Sequence, residues 1–153
     1  MKLQISPIRI VKDHLTVWYE HGENVDIVME LKNLTFAKDS LQSISAFHVL
    51  DHFFEKEAIQ ALSNWHACLK KGGTAYVVVD DFEYISRKFV GGDIGIDYLN
   101  EHFSHPMYFT KDNLIRSLSA AGFIENEMRI WYADVTDMFR KNEYELIIAA
   151  TKI

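Results

Sequence analysis

Apolar and polar residues follow two rhythms along this chain. Runs at 3–5, 15–19, 25–29, 43–47, 75–79, 124–131 and 144–151 are short and rich in β-branched or aromatic residues, which predicts strands. Ala75-Tyr76-Val77-Val78-Val79 is apolar throughout, as suits a central strand covered on both faces. The helical rhythm appears twice between strands. Ala58, Ile59, Leu62, Trp65 and Leu69 recur at helical spacing ahead of Lys70, Lys71 and a Gly72-Gly73 stop. Leu114, Ile115, Leu118 and Ala121 form a second stripe, with Thr110 as cap and Gly122 as stop.

Strands alternating with helices predict parallel pairing through right-handed crossovers, and two closing strands with no helix between them predict an antiparallel hairpin at one edge. The expected fold is therefore α/β: a doubly wound, Rossmann-like sheet, mostly parallel, with an antiparallel C-terminal hairpin and a shortened N-terminus. Only residues 6–14 separate the first two strands, too few for a full crossover helix. With no repeat, linker or low-complexity tract, residues 1–153 are expected to form one domain. Ligands of such sheets bind beyond the carboxyl ends of the strands, which here are residues 6–10, 20–23, 30–34, 48–52 and 80–83.

Charge and composition narrow the partners. A formal charge of −6 with scattered basic residues argues against nucleic acid, whose binding needs a basic face. No apolar stretch approaches the roughly 20 residues of a membrane span, so a cytoplasmic location is expected. A single cysteine, Cys68, reads as a packing residue. Exposed edge strands could pair two copies into a homodimer. Trp18, Trp65 and Trp131 fall on core periodicities.

Several segments taken in order resemble a family. Val25-Asp26-Ile27-Val28, Leu31, Leu34-Thr35-Phe36 with Asp39-Ser40, His48-Val49-Leu50-Asp51-His52-Phe53, Leu69-Lys70-Lys71-Gly72-Gly73 and Asp80-Asp81-Phe82 are similar to the class I S-adenosylmethionine-dependent methyltransferases, in particular the small type 11-like group. Gly91-Gly92, then His102 or His105, then the stretch from Leu114 to Ala121-Gly122-Phe123, resemble that group's ending. The resemblance implies S-adenosylmethionine as cofactor and methyl transfer to an oxygen or nitrogen of a small-molecule or glycan-like acceptor. Family members carry a Gly-x-Gly loop after the first strand. Here Ser6-Pro7-Ile8 stands in its place, removing an amide donor and adding a branched side chain. That departure keeps a second reading open, a non-catalytic relative serving as a binding or assembly module.

The candidate cofactor-binding residues are Ser6, Glu20, Glu30, Leu31, His48 and Val49, and the candidate catalytic residues are His48 and Asp81. Glu20 follows the second strand, where a carboxylate would accept from ribose hydroxyls or simply begin a polar turn. Glu30 could meet the adenine amine or lie on the surface. His48 lines the substrate side of the pocket in the family's arrangement, or is satisfied by backbone at a strand end. Asp80 and Asp81 close a buried strand, where one could act as general base or both could cap the next segment. His48 and His52 stand at i and i+4, but two ligands do not make a site and no metal is expected. The connection from Phe82 to Phe109 reads as a substrate lid.

Overall fold

The structure is a computed structural model that describes residues 1–131 and 144–153, with only the backbone of His102 and Trp131. Strands β1 (Lys2–Ile5), β2 (Leu15–Trp18), β3 (Ile27–Val28), β4 (Leu41–Phe47), β5 (Leu69–Asp80), β6 (Met128–Trp131) and β7 (Glu145–Thr151) form one sheet in the order β3-β2-β1-β4-β5-β7-β6. The first five are mutually parallel, and β7 runs antiparallel to both its neighbours. This is the expected mostly parallel sheet with an antiparallel C-terminal hairpin. The strand order reverses between β1 and β4, the position at which α/β sheets open a crevice.

Alternation along the strands gives the sheet two different faces. Leu3, Ile5, Val17, Ile44, Ala46, Ala75, Val77, Val79, Leu146 and Ile148 share one core with helices α1 (Glu55–Cys68) and α4 (Lys111–Ala120). Helix α1 buries Ala58, Ala61, Leu62, Trp65 and Cys68 on one stripe, and the Trp65 indole donates to the Leu31 carbonyl at 3.0 Å. Thr110 and Asn113 cap α4 reciprocally: the Thr110 hydroxyl accepts from the Asn113 amide, and the Asn113 side chain accepts from the Thr110 amide.

The opposite face carries Gln4, Thr16, Ser43 and Ser45, all buried. Across it runs the extended segment 6–14 where a crossover helix would otherwise lie. Gln4 pins this strap. Its carboxamide oxygen accepts from the amides of Val11 at 2.7 Å and Ile10 at 3.2 Å, and its nitrogen donates to the Ile8 carbonyl and the Thr16 hydroxyl. Ile10 and Val11 then pack on Phe47, Val78 and Ile147, a small second core. The expected shortening of the N-terminus is thus a helix replaced by a strap.

Several boundaries differ from the sequence-based expectation. Helix α1 ends at Cys68 and Leu69 is already extended, so Lys70 and Lys71 belong to β5 rather than to a helix end. Gly72, at φ 76, and Gly73 form an irregularity within β5 instead of a helix stop; a Cβ on Gly73 would lie 2.8 Å from the Lys70 carbonyl. β3 shrinks to two residues, and 125–127 is a 3-10 turn that delays β6 to Met128. The connection expected to be a lid contains two helices, α2 (Phe82–Val90) and α3 (Ile96–His102). The side chain of Trp131 lies outside the described residues. Among the described residues, no helix is long and apolar enough to cross a membrane.

Candidate active site

Two adjoining hollows open at the carboxyl ends of the strands. One, about 410 Å³ and open to solvent, is lined by Ser6, Pro7, Ile8, Ile10, Trp18, Phe47, His48 and His52. The other is a niche of about 10 Å³, room for about one water, lined by Asp51, Val79, Asp80, Phe103, His105, Met107, Tyr108 and Phe109. The larger falls within the size range of small-molecule sites.

The wall on the β1 side is the start of the strap. The Ser6 amide donates to the Val17 carbonyl, and the buried Ser6 hydroxyl accepts from the Ile8 amide at 3.2 Å. Pro7 has no amide, and the amides of Ile10 and Val11 are held by Gln4. His14, at the strap's far end, is buried, and burial pushes its pKa down.

The wall on the β4 side is made of ionisable groups. His48 sits at the end of β4 with φ 50, a left-handed turn that a non-glycine residue adopts at a cost. Its Nε2 lies 2.7 Å from Oε1 of buried Glu145 at the start of β7, and its Nδ1 lies 3.7 Å from Oδ1 of Asp80 at the end of β5. Burial alone would lower the imidazole pKa. The hydrogen bond to Glu145 and the charges of Asp80, Glu145 and Asp51 outweigh it, so the pKa is raised and the ring favours the imidazolium. Behind this cluster, Phe82 stacks on Tyr108, Phe103 meets both rings at a tilt, and the Tyr108 hydroxyl donates to the Phe103 carbonyl.

The sequence-derived candidates scatter over this frame. Ser6 and His48 line the larger hollow. Val49 is fully buried beneath it, and Leu31 belongs to the core with its carbonyl bound to Trp65. Glu20 is exposed just beyond β2; Glu30 is exposed and lies 3.9 Å from Lys32. Asp81 is buried, and its Oδ1 accepts from the amides of Glu83 and Tyr84, capping α2. Asp80, half-exposed, is the carboxylate of that pair that lines the smaller hollow. His52 sits in the 3-10 turn Leu50–His52, while His48 is in a left-handed turn, so the two do not share a helix face. Sequence reasoning missed Glu145, which the antiparallel insertion of β7 beside β5 delivers from 97 residues away. Cys68 is buried on α1, as expected, and burial raises its thiol pKa.

Comparison with known proteins agrees with this frame. A family model described as a methyltransferase domain matches residues 4–77. A search of the curated proteins finds no match by sequence. Among solved structures, a Thermotoga maritima protein described as an S-adenosylmethionine-dependent methyltransferase, possible histamine N-methyltransferase, superposes with a TM-score of 0.70 at 16% identity, covering 100% of this chain and 83% of that one. An Archaeoglobus fulgidus S-adenosylmethionine-dependent methyltransferase gives 0.65 at 13% identity, over 91% of this chain and 76% of that one. A Methanosarcina mazei protein of the same description gives 0.61 at 15% identity, over 99% and 91%. The chain has the Rossmann-like methyltransferase fold and resembles the class I, type 11-like group.

The cofactor of that family has a cationic sulfonium, a ribose and an amino-acid part, and the donor set can be tested against each. Asp80 and Glu145 beside the single His48 ring leave this corner of the β4–β5 side rich in carboxylates, which fits a cation. Glu20 is exposed just beyond β2 and lines neither hollow. The amides of Ile8, Ile10 and Val11 are already engaged inside the strap and cannot form a cradle for the amino-acid part. The residues fit the group on the β4 and β5 sides.

Proposed function

Taking the methyltransferase fold as premise, we propose that this protein transfers a methyl group from S-adenosylmethionine to an oxygen or nitrogen of a small-molecule or glycan-like acceptor. The observation that carries the reading is the convergence of His48, Asp80 and Glu145 between the open cleft and the ring-lined hollow. Glu20, with the chain at His48 and Val49, would hold the cofactor, and when bound it supplies an electrophilic methyl. Such a transfer is an in-line displacement, so the protein contributes orientation, water exclusion and a proton acceptor. Phe103, Met107, Tyr108 and Phe109 shield the acceptor side from water. Asp80 takes the acceptor's proton on a carboxylate oxygen. Glu145 fixes the His48 ring, whose Nδ1 lies 3.7 Å from Oδ1 of Asp80. We assign the base to Asp80 rather than to Asp81, whose Oδ1 already accepts from the Glu83 and Tyr84 amides at the start of α2.

A second reading, a methyltransferase-fold binding module without catalysis, is favoured by one observation: the strap keeps its amides for Gln4 and Ser6. A methyl-transfer assay by mass spectrometry over a panel of hydroxyl and amine acceptors separates the two. Product formation that drops about a hundredfold in Asp80→Asn supports the enzyme, by the usual contribution of a general base. Absence of product with every acceptor supports the module.

A further inference from the structure

Asp51, His52 and His105 come together although 53 residues separate His52 from His105 in the chain. We propose that these three side chains form a binding site for one divalent transition-metal cation, with Zn²⁺ the ion their chemistry fits best. One candidate ligand atom from each, a carboxylate oxygen and two imidazole nitrogens, lies within 4.8 Å of the others. Asp51 Oδ2 is already 3.3 Å from His105 Nε2, close to the separation of two ligands that bond one Zn²⁺ at about 2.0–2.1 Å each in a tetrahedral array. The rings of His52 and His105 meet edge to face with centroids 4.6 Å apart, so both imidazoles converge on the carboxylate. His52 is exposed and can turn about its own side-chain bonds to close the remaining gap.

An independent observation points to a ligand. Asp51 is only 8% exposed, and its Oδ1 has no hydrogen-bond partner among the described residues. A carboxyl oxygen buried without a partner is costly, and a cation is a partner that removes the cost. The support beneath the cluster does not depend on an ion. Asp51 and His52 lie in the 3-10 turn that follows β4 directly, and the Met107 amide donates to the Asp51 carbonyl at 3.3 Å, tying the His105 segment to that turn.

Two imidazoles and one carboxylate are intermediate-to-hard donors that suit Zn²⁺, Fe²⁺ or Ni²⁺ better than Mg²⁺ or Ca²⁺. Three protein ligands leave one position for water or substrate, the coordination of catalytic rather than structural zinc. His52 lines the larger hollow and Asp51 and His105 line the smaller, so the ion lies at their junction. There it would bind an acceptor hydroxyl and lower its pKa. The site itself is independent of the methyl-transfer reading and is tested without S-adenosylmethionine.

The test is calorimetric titration of the chelator-treated full chain with Zn²⁺ alone, together with visible absorption on adding Co²⁺. The expected result is one-to-one uptake with Co²⁺ d–d bands. Affinity should fall about tenfold to a hundredfold in His105→Ala, Asp51→Asn and His52→Ala, and stay unchanged in the exposed control His21→Ala. Because His52 is exposed, its variant reports on binding without a folding defect. No saturable uptake by the wild type, or uptake equal in wild type, His52→Ala and His105→Ala, would overturn the site.

Discussion

On the β1 side of the cleft, polar atoms are turned inward: Gln4 takes the amides of Ile10 and Val11, Ser6 takes that of Ile8, and Pro7 has none to offer. On the β4–β5 side, the ionisable groups His48, Asp80, Asp51 and His105 line the hollows. Both walls occupy equivalent places in the sheet, at strand ends either side of the switch between β1 and β4. One wall stabilises the fold with its polar groups, and the other retains groups able to act on a ligand. The absence of a helix between β1 and β2 explains the division. A strap has no helical ladder to satisfy its amides, so a buried glutamine must do so.

The largest effect is expected where that inward wall is broken. Gln4→Leu removes hydrogen bonds to Ile8, Ile10, Val11 and Thr16 and leaves the buried Thr16 hydroxyl and the half-buried Ile10 and Val11 amides without that partner; urea denaturation should show a loss of about 3 kcal/mol. A loss below about 1 kcal/mol would mean the strap is held by Ile10 and Val11 packing instead.

Next in size is the double variant Pro7→Gly, Ile8→Gly. It adds one amide and removes a branched side chain at the mouth of the cleft, so S-adenosylhomocysteine should bind about tenfold more tightly by calorimetry, the worth of one hydrogen bond to a charged group. Unchanged binding would show that this wall does not limit the cofactor.

Asp81→Ala should cost about 1 kcal/mol through loss of the α2 cap while leaving S-adenosylhomocysteine affinity unaltered. A drop in affinity would place Asp81 in the site.

The smallest effect distinguishes the strap, whose far end carries His14, from the β4–β5 wall by pH, since His14 and His48 shift in opposite directions. The raised pKa of His48 gives stability that is complete below the unfolded value near 6.5 and is lost as pH rises through the folded pKa. The gap between wild type and His48→Gln should therefore close as pH rises. The lowered pKa of His14 gives stability that is lost as pH falls below about 6.5, so His14→Gln should resist mild acid better than wild type. Equal pH profiles for the two variants would erase the contrast between the strap and the β4–β5 wall.

Most of the sheet could be read in the sequence because β1, β2, β4 and β7 carry β-branched or aromatic runs, and α1 and α4 carry stripes that face one core. The helix α3 escaped because among its described side chains none is fully buried, and a helix without a buried stripe leaves no periodic trace. α2 did leave signals in the Asp81 cap, the Glu83–Arg87 pair at 2.7 Å and the Gly91-Gly92 end, which the acidic start of a supposed lid obscured. For the site, a single sequence locates residues at strand ends but not their partners. His48 and His105 were legible as residues; Glu145 was not, nor were the pairings of His48 with Glu145 and of His105 with Asp51, because only strand order and the fold of 103–109 bring them close. The pair His48 and His52 was a false lead, since a positive φ at His48 breaks the helical spacing that the sequence suggested.

Titration calorimetry of the purified protein with S-adenosylmethionine and, separately, S-adenosylhomocysteine tests the central claim most directly. The account predicts saturable one-to-one binding that His48→Gln weakens. No heat and no thermal stabilisation at millimolar ligand would contradict it and leave the fold as a binding module.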